Sequence, residues 1–271
     1  MYKTPVIYLI LICLAACTAS VKIKDSSAVK KEWKLVWRDE FRYNGLPDST
    51  RWSFDVDGNE WGWGNNELQH YTGFRSENAS VDGKYLHIRA LKEPWEGKDY
   101  TSARLITRYK GDWLYGRIEV RAKLPGGRGI WPAIWMLPSD WGYGEGPPPA
   151  EIDIMEHVGF MPDSVFASAH AGSNGLPAGI HKTKGLAVPG CEKKFHTYIL
   201  EWEQNEYRVY ADDIHYFTFT SAESNGTKWR FNKPFYLILN VAVGGSWGGM
   251  EGIDDFIFPQ EMVVDYVRVY Q

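Results

Sequence analysis

Several things are scarce in this 271-residue chain, and each absence removes a class of function. There is no cluster of basic residues, and the formal net charge is −4. A nucleic-acid partner is therefore not expected. Seven histidines and three cysteines show no metal-ligand spacing such as H-E-x-x-H. No glycine-rich phosphate loop sits between a strand and a helix, and no G-x-S-x-G elbow marks a serine hydrolase. Long helical periodicity is missing, as are internal repeats and any Ser/Gly linker that would divide the chain into two domains. A core of this size is stable without disulfides.

What the chain has in quantity is aromatic: 13 Trp and 16 Tyr. Such residues favour strands, and they also suit the apolar faces of pyranose rings. Short alternating segments recur between turn residues. They predict strands at Trp33–Phe41, Lys84–Leu91, Arg104–Arg108, Tyr115–Leu124, Ile130–Met136 and Glu151–Val158. Six more are expected at Val165–Ala171, His196–Glu203, Glu206–Ala211, Ile214–Phe219, Phe235–Val243 and Val263–Tyr270. Hairpin turns fit Gln204-Asn205 and Asp212-Asp213. About a dozen strands imply an all-β jelly roll of two antiparallel sheets. The Gly/Pro-rich stretches 139–150 and 172–190 read as loops at the edge of a cleft.

The N-terminus carries a targeting segment. After Lys3, residues Val6 to Ala16 are apolar but too few to span a bilayer. They end in Leu14-Ala15-Ala16-Cys17, which resembles a bacterial lipobox. The expected division is a signal peptide at 1–16, a lipidated tether at 17–32 and one catalytic domain at 33–271. Cys17 then carries lipid and holds the protein on the cell envelope without a spanning helix. Cys13 leaves with the signal and Cys191 has no partner, so no disulfide is expected.

The densest chemistry lies in Glu151-Ile152-Asp153-Ile154-Met155-Glu156. Glu151 and Asp153 are two apart and share one face of a strand. Glu156 would ordinarily face the other way. One extra residue, a β-bulge, would return it to the acidic face. Two carboxylates working on one glycosidic bond with retention must lie about 5–5.5 Å apart. Crowding them raises their pKa values, which keeps a proton available near neutral pH. Alternating acids can equally be the solvated face of a sheet, but the flanking Gly129-Ile130-Trp131-Pro132-Ala133-Ile134-Trp135-Met136-Leu137-Pro138 and His157-Val158-Gly159 weigh against that.

With these flanks the string resembles the E-x-D-x-x-E signature of glycoside hydrolase family 16, in particular its laminarinase-like β-1,3-glucanases. Gly64-Asn65-Asn66-Glu67-Leu68-Gln69-His70-Tyr71-Thr72, Thr101-Ser102-Ala103-Arg104, Gly116–Arg121, Asn240–Gly245 and Asp265–Tyr270 are similar to further family blocks. One departure is Gly146-Pro147-Pro148-Pro149-Ala150-Glu151, where the family often reads W-P-x-x-G-E.

The resemblance implies a concanavalin-like sandwich with a concave cleft and a retaining endo-β-1,3-glucanase. Glu151 would be the nucleophile, Asp153 its assistant and Glu156 the general acid/base. Agarase-, carrageenase- or porphyranase-type substrates, transglycosylation and a non-catalytic glucan-binding lectin are the alternatives. Asn66 and Glu67 either belong to a polar loop or contact sugar, with Asn66 donating a hydrogen bond to a sugar hydroxyl. Arg104 either orients substrate or pairs with an acid. Trp131, Trp135 and Trp247 either stack on sugar or pack structurally, and His170 is either a core residue or a cleft residue near the leaving group. The resemblance also implies no catalytic cofactor, but a structural Ca²⁺ on Glu40, the Gly83 backbone and Asp265, unless those acids are merely surface charges. A monomer acting on polysaccharide is expected.

Overall fold

The computed structural model describes Met1 and residues 31–142, 149–172, 179–224 and 229–271. Cys13, Cys17, the signal peptide and nearly all of the tether lie outside the described residues, as do 143–148 and 173–178 of the two expected loops. The described residues form nineteen strands. The first seven are β1 (Leu35–Asp39), β2 (Asn44–Gly45), β3 (Ser53–Phe54), β4 (Gln69–Tyr71), β5 (Ala79–Asp82), β6 (Leu86–Trp95) and β7 (Lys98–Ser102). Next are β8 (Arg104–Ile106), β9 (Asp112–Trp113), β10 (Gly116–Lys123), β11 (Ile130–Pro138), β12 (Ala150–Glu156) and β13 (Ser164–Ala171). The last are β14 (Ile180–Ala187), β15 (His196–Trp202), β16 (Glu206–Ala211), β17 (Ile214–Thr220), β18 (Phe235–Val243) and β19 (Gln260–Tyr270).

These strands make two sheets. One runs β17-β16-β15-β10-β19-β6-β5-β2, with β1 and the β7–β4 pair attached. The other runs β14-β13-β12-β11-β18-β8-β3, with β9 beside β18. Pairing is antiparallel throughout the ladders except between β4 and β7. This is the expected all-β sandwich, and residues 33–271 form one compact unit.

All twelve expected strands are present, most with ends moved by one to three residues; β6 runs four residues further, to Trp95. Seven others were not expected. Six of them are two to five residues long, too short for alternation to register. The seventh, β14, overturns the reading of 172–190 as loop alone. It is an exposed edge strand whose Lys182, Thr183, Lys184 and Gly185 carry little apolar pattern, a composition that discourages further strand pairing.

The sheets close on an aromatic core. Strand β18 explains the register. Its nine residues are all buried, because alternate side chains enter the main core (Leu237, Leu239, Val241, Val243). The others face outward under cover, with Tyr236 and Ile238 packing on Leu137 and Trp141. At one end of the main core, Phe219 packs with ring centroids 5.9 Å from Tyr207, 5.7 Å from Trp229 and 5.6 Å from Phe231. Removing that ring forfeits burial and leaves a cavity that rigid strands cannot close. Phe219→Ala should cost about 3–5 kcal/mol of unfolding free energy in a denaturant titration.

Candidate active site

The acids are brought together by one irregularity in β12. Against β11, Ile134 faces Met155 while Trp135 faces Asp153, so Ile154 has no register partner. Against β13, three steps from Asp153 to Glu156 span only two from Ser168 to Phe166. This is the expected bulge. Ile152, Ile154 and Met155 are all fully buried in the core. Two consecutive residues therefore point inward, and Glu156 is returned to the side of Glu151 and Asp153. The carbonyl of Ile154 accepts a hydrogen bond from the Tyr216 hydroxyl of the other sheet at 3.3 Å.

All three carboxylates line one cavity of about 420 Å³. Its floor also holds Trp131, Ala133 and Trp135 of β11, Asn240 and Ala242 of β18, and Ser168 and His170 of β13. Asp153 and Glu156 are buried at 3% and 9% exposure. Glu156 Oε1 accepts from Trp131 Nε1 at 3.2 Å, and Oε2 accepts from Ser168 Oγ at 3.3 Å. Asp153 Oδ2 receives no aligned hydrogen bond, although His170 Nε2 stands 3.1 Å away. The same nitrogen is 3.7 Å from Glu151 Oε1.

Burial disfavours charge on all three acids. Glu151 is pushed up to about 8, first by burial and then by the neighbouring charge of Asp153, with His170 pulling the other way; even so, 24% of its side chain meets solvent. Asp153 is raised by burial and by Glu156. Glu156 is raised by burial, against the opposing effects of His170, Trp131 and Ser168. The cluster thus retains protons at neutral pH, and its titration belongs to the group as a whole.

The other expected residues divide. Trp131 and Trp135 share the cavity face, and Trp247 joins them, edge-on to Trp131 at 5.7 Å and to Phe166 at 5.0 Å. The Gly244–Gly249 turn permits this. A Cβ on Gly248 would come within 2.7 Å of Trp131 Cβ, and Gly244 and Gly245 take φ of +72° and +77°. His170 is in the cleft. Glu67 is in the cavity wall and buried, held by Gln69 Nε2 at 2.7 Å and by Asn65 and Tyr71.

Asn66 is not there. It is exposed, with φ +56°, in an adjoining depression beside Leu68. Its neighbour Asn65 lines the acid cavity instead. Arg104 also stays out of the cavity. Its Nε donates to buried Asp55 at 2.9 Å, and its guanidinium lies 4.6 Å from both the Trp63 and Trp135 rings. Of its two readings, pairing with an acid is the one the side chain adopts.

Both acids considered for Ca²⁺ are paired with arginine. Arg268 forks onto Glu40 at 2.8 and 2.9 Å. Asp265 is held by Arg121 at 2.5 Å, with Arg42 at 3.6 Å. Two acids already neutralised by guanidinium groups do not fit a divalent ion. Among the described residues, the one group with the spacing to coordinate a metal is Glu151, Asp153 and His170, whose donor atoms lie within 4.8 Å of one another.

Sequence reasoning missed Asn65, Ser168, His181, Thr183, Asn240 and Ser246, all of which line the cavity. Asn240 had a signal, being the lone polar residue in an apolar run. Its Oδ1 accepts from Trp135 Nε1 at 2.7 Å, and its Nδ2 donates to the Tyr71 hydroxyl at 2.9 Å.

Comparison with known proteins agrees with this geometry. The model of the glycosyl hydrolases family 16 matches residues 60–268. A protein named beta-glucanase from Rhodothermus marinus is 50% identical over 254 residues, covering 91% of this chain and 88% of that one. The X-ray structure of the laminarinase from Rhodothermus marinus superposes with a TM-score of 0.81 at 49% identity, covering 89% of this chain and 98% of that one. SCLam, described as a non-specific endo-beta-1,3(4)-glucanase, gives a TM-score of 0.80 at 41% identity, over 88% of this chain and 91% of the other.

The raised acids make a stability prediction. A carboxyl held neutral by the fold costs nothing below its unfolded value near 4.5, and destabilises progressively as pH rises through its folded value of about 8. Glu151→Gln removes that burden. Its melting temperature should match the wild type near pH 4.5 and exceed it at pH 8, as read by calorimetry across that range.

Proposed function

The chain belongs to the glycosyl hydrolases family 16, and on that premise we propose that it is a retaining endo-β-glucanase cutting β-1,3 bonds in laminarin-like or mixed-linkage glucans. The observation that carries the reading is the bulge at Ile154, which gathers Glu151, Asp153 and Glu156 in one cavity. The substrate follows from the relatives, which are described as a beta-glucanase, a laminarinase and an endo-beta-1,3(4)-glucanase. Three half-buried Trp rings beside the acids suit the apolar faces of glucosyl units.

In this reading a glucosyl unit lies across the acids. Glu151 attacks the anomeric carbon as Glu156 passes its proton to the departing glycosidic oxygen. Glu156, now ionised, takes a proton from water. The water oxygen displaces Glu151 and restores the original anomer. Asp153 sits between the two and tunes both through its charge. A lectin would not need these acids, and all three are present. One copy of the chain supplies all three, so a monomer suffices. The paired states of Glu40 and Asp265 give Ca²⁺ no part in this proposal.

Glu151→Gln and Glu156→Gln should each reduce laminarin hydrolysis by roughly 10³-fold while circular dichroism stays unchanged. Proton NMR of the first wild-type product should show the β-anomer. Near-normal turnover in either variant, or an α product, would reject the assignment.

We also propose that Cys17 anchors the domain to a bacterial envelope, on the strength of Leu14-Ala15-Ala16-Cys17 alone. In a bacterial host, Cys17→Ser should move the activity from the membrane to the soluble fraction; wild-type protein found wholly soluble would refute the anchor.

A further inference from the structure

Behind the acids, two strands carry polar side chains that the hydrolysis scheme does not use. Register places Glu151, His170 and His181 side by side across β12, β13 and β14, and Asp153, Ser168 and Thr183 in the next row. The rows are joined at both ends. Ser168 Oγ, 3.3 Å from Glu156 Oε2, is 2.8 Å from Thr183 Oγ1. Thr183 Oγ1 is 3.0 Å from His181 Nε2, and His181 Nδ1 is 3.0 Å from His170 Nδ1. The far nitrogen of His170 faces Asp153 Oδ2 at 3.1 Å. A loop of side chains thus starts at the acid/base and ends at the acid beside the nucleophile.

We infer that His181 and Thr183 are positioning residues for this reaction, because they fix which nitrogen of His170 bears its proton. The inference rests on the β-glucanase reading for its role, though not for its geometry. Each hydroxyl and each neutral imidazole gives one proton and accepts one. Choosing one donor therefore fixes the rest. When Glu156 is protonated, its O–H can donate to Ser168, Ser168 to Thr183, and Thr183 to His181 Nε2. His181 must then donate from Nδ1 to His170 Nδ1. That leaves the His170 proton on Nε2, aimed at Asp153 Oδ2, the buried oxygen with no other hydrogen-bond partner.

This polarity matches the starting state for hydrolysis, in which the acid at 156 is protonated, and it gives Asp153 Oδ2 a donor. When Glu156 has lost its proton to the leaving group, Ser168 can donate to it in turn. The other face of β14 is committed elsewhere, with Lys182 bound to the Thr218 carbonyl at 2.7 Å and paired with Glu223. Lys184, on that same face, carries no part of the loop. Partners of His170 on tautomer-fixing nitrogens are a common device for setting imidazole function.

His181 and Thr183 lie on an exposed strand, so substitutions there leave the core intact. The test begins with wild-type enzyme on laminarin; inactivity there would sink the functional reading and not the loop. The loop itself is read by imidazole ¹⁵N shifts, which require no substrate. Wild type should show His170 as the Nε2–H tautomer, and Thr183→Val or His181→Ala should turn it into a mixture. In kinetics, Thr183→Val should lower kcat about 10-fold with KM within twofold, since a misplaced proton affects the transition state and not ground-state binding. Thr183→Ser, which keeps the hydroxyl, should restore kcat to within twofold. An unchanged tautomer and kcat in both variants would overturn the inference. So would a loss expressed in KM, which would make these residues sugar contacts, or a failure of Ser to rescue.

Discussion

One surplus residue in a strand is the constraint on which this site depends. Side chains in a regular strand alternate, so Glu151 and Glu156 cannot share a face unless the count between them is changed by one. Ile154 supplies the change, and the core holds it in place. Ile152, Ile154 and Met155 are all buried at zero exposure, so sliding the strand back into regular register would push an apolar side chain into the cleft. The bulge also leaves a carbonyl outside the ladder, and the Tyr216 hydroxyl from the opposing sheet reaches across to it. A buried carbonyl without a partner is costly. The two sheets therefore cooperate in stabilising the irregularity that makes the chemistry possible.

Gathering three carboxylates in a buried place works against folding, and the surrounding donors offset part of that cost. Glu156 has two donors, from β11 and β13, and His170 approaches Asp153 and Glu151 from β13. A second polar group does different work. Glu67, Tyr71 and Asn240 form a chain that ends on the Trp135 indole nitrogen, while the Arg104 guanidinium backs the same ring against Trp63. One network sets protons and the other sets an aromatic platform. Both are rooted in β-ladder register, which fixes backbones more firmly than loops could.

The parts of this arrangement that were readable in the sequence are those with strong local pattern. Glu151-Ile152-Asp153-Ile154-Met155-Glu156 exposed its own bulge, because acids and large apolar residues fall out of alternation by one. The long strands β11 and β18 showed as apolar runs. Asn66 and Asn65 could not be told apart, since which of two adjacent asparagines faces the cleft depends on a left-handed residue at 66. Arg104 left two roles open because its partner, Asp55, lies 49 residues away in sequence. The arginine pairing of the two acids considered for Ca²⁺ was hidden for a similar reason. Arg268 and Arg121 reach Glu40 and Asp265 only through long-range pairing between β1, β10 and β19.

The strand hidden most completely was β14, and its concealment has a physical cause with consequences. An edge strand with a solvated side has no need of apolar alternation, so its residues are selected for other tasks. Lysines at 182 and 184 keep the edge from pairing with another chain, which frees the alternate positions 181 and 183 to face the acids. In the middle of a sheet those positions would be crowded by a further strand. At the edge they can carry a histidine and a hydroxyl that touch both β13 and water. The border of a sheet, elsewhere a hazard to be blunted, is here the one place where a polar circuit can close around a catalytic pair without burying more charge.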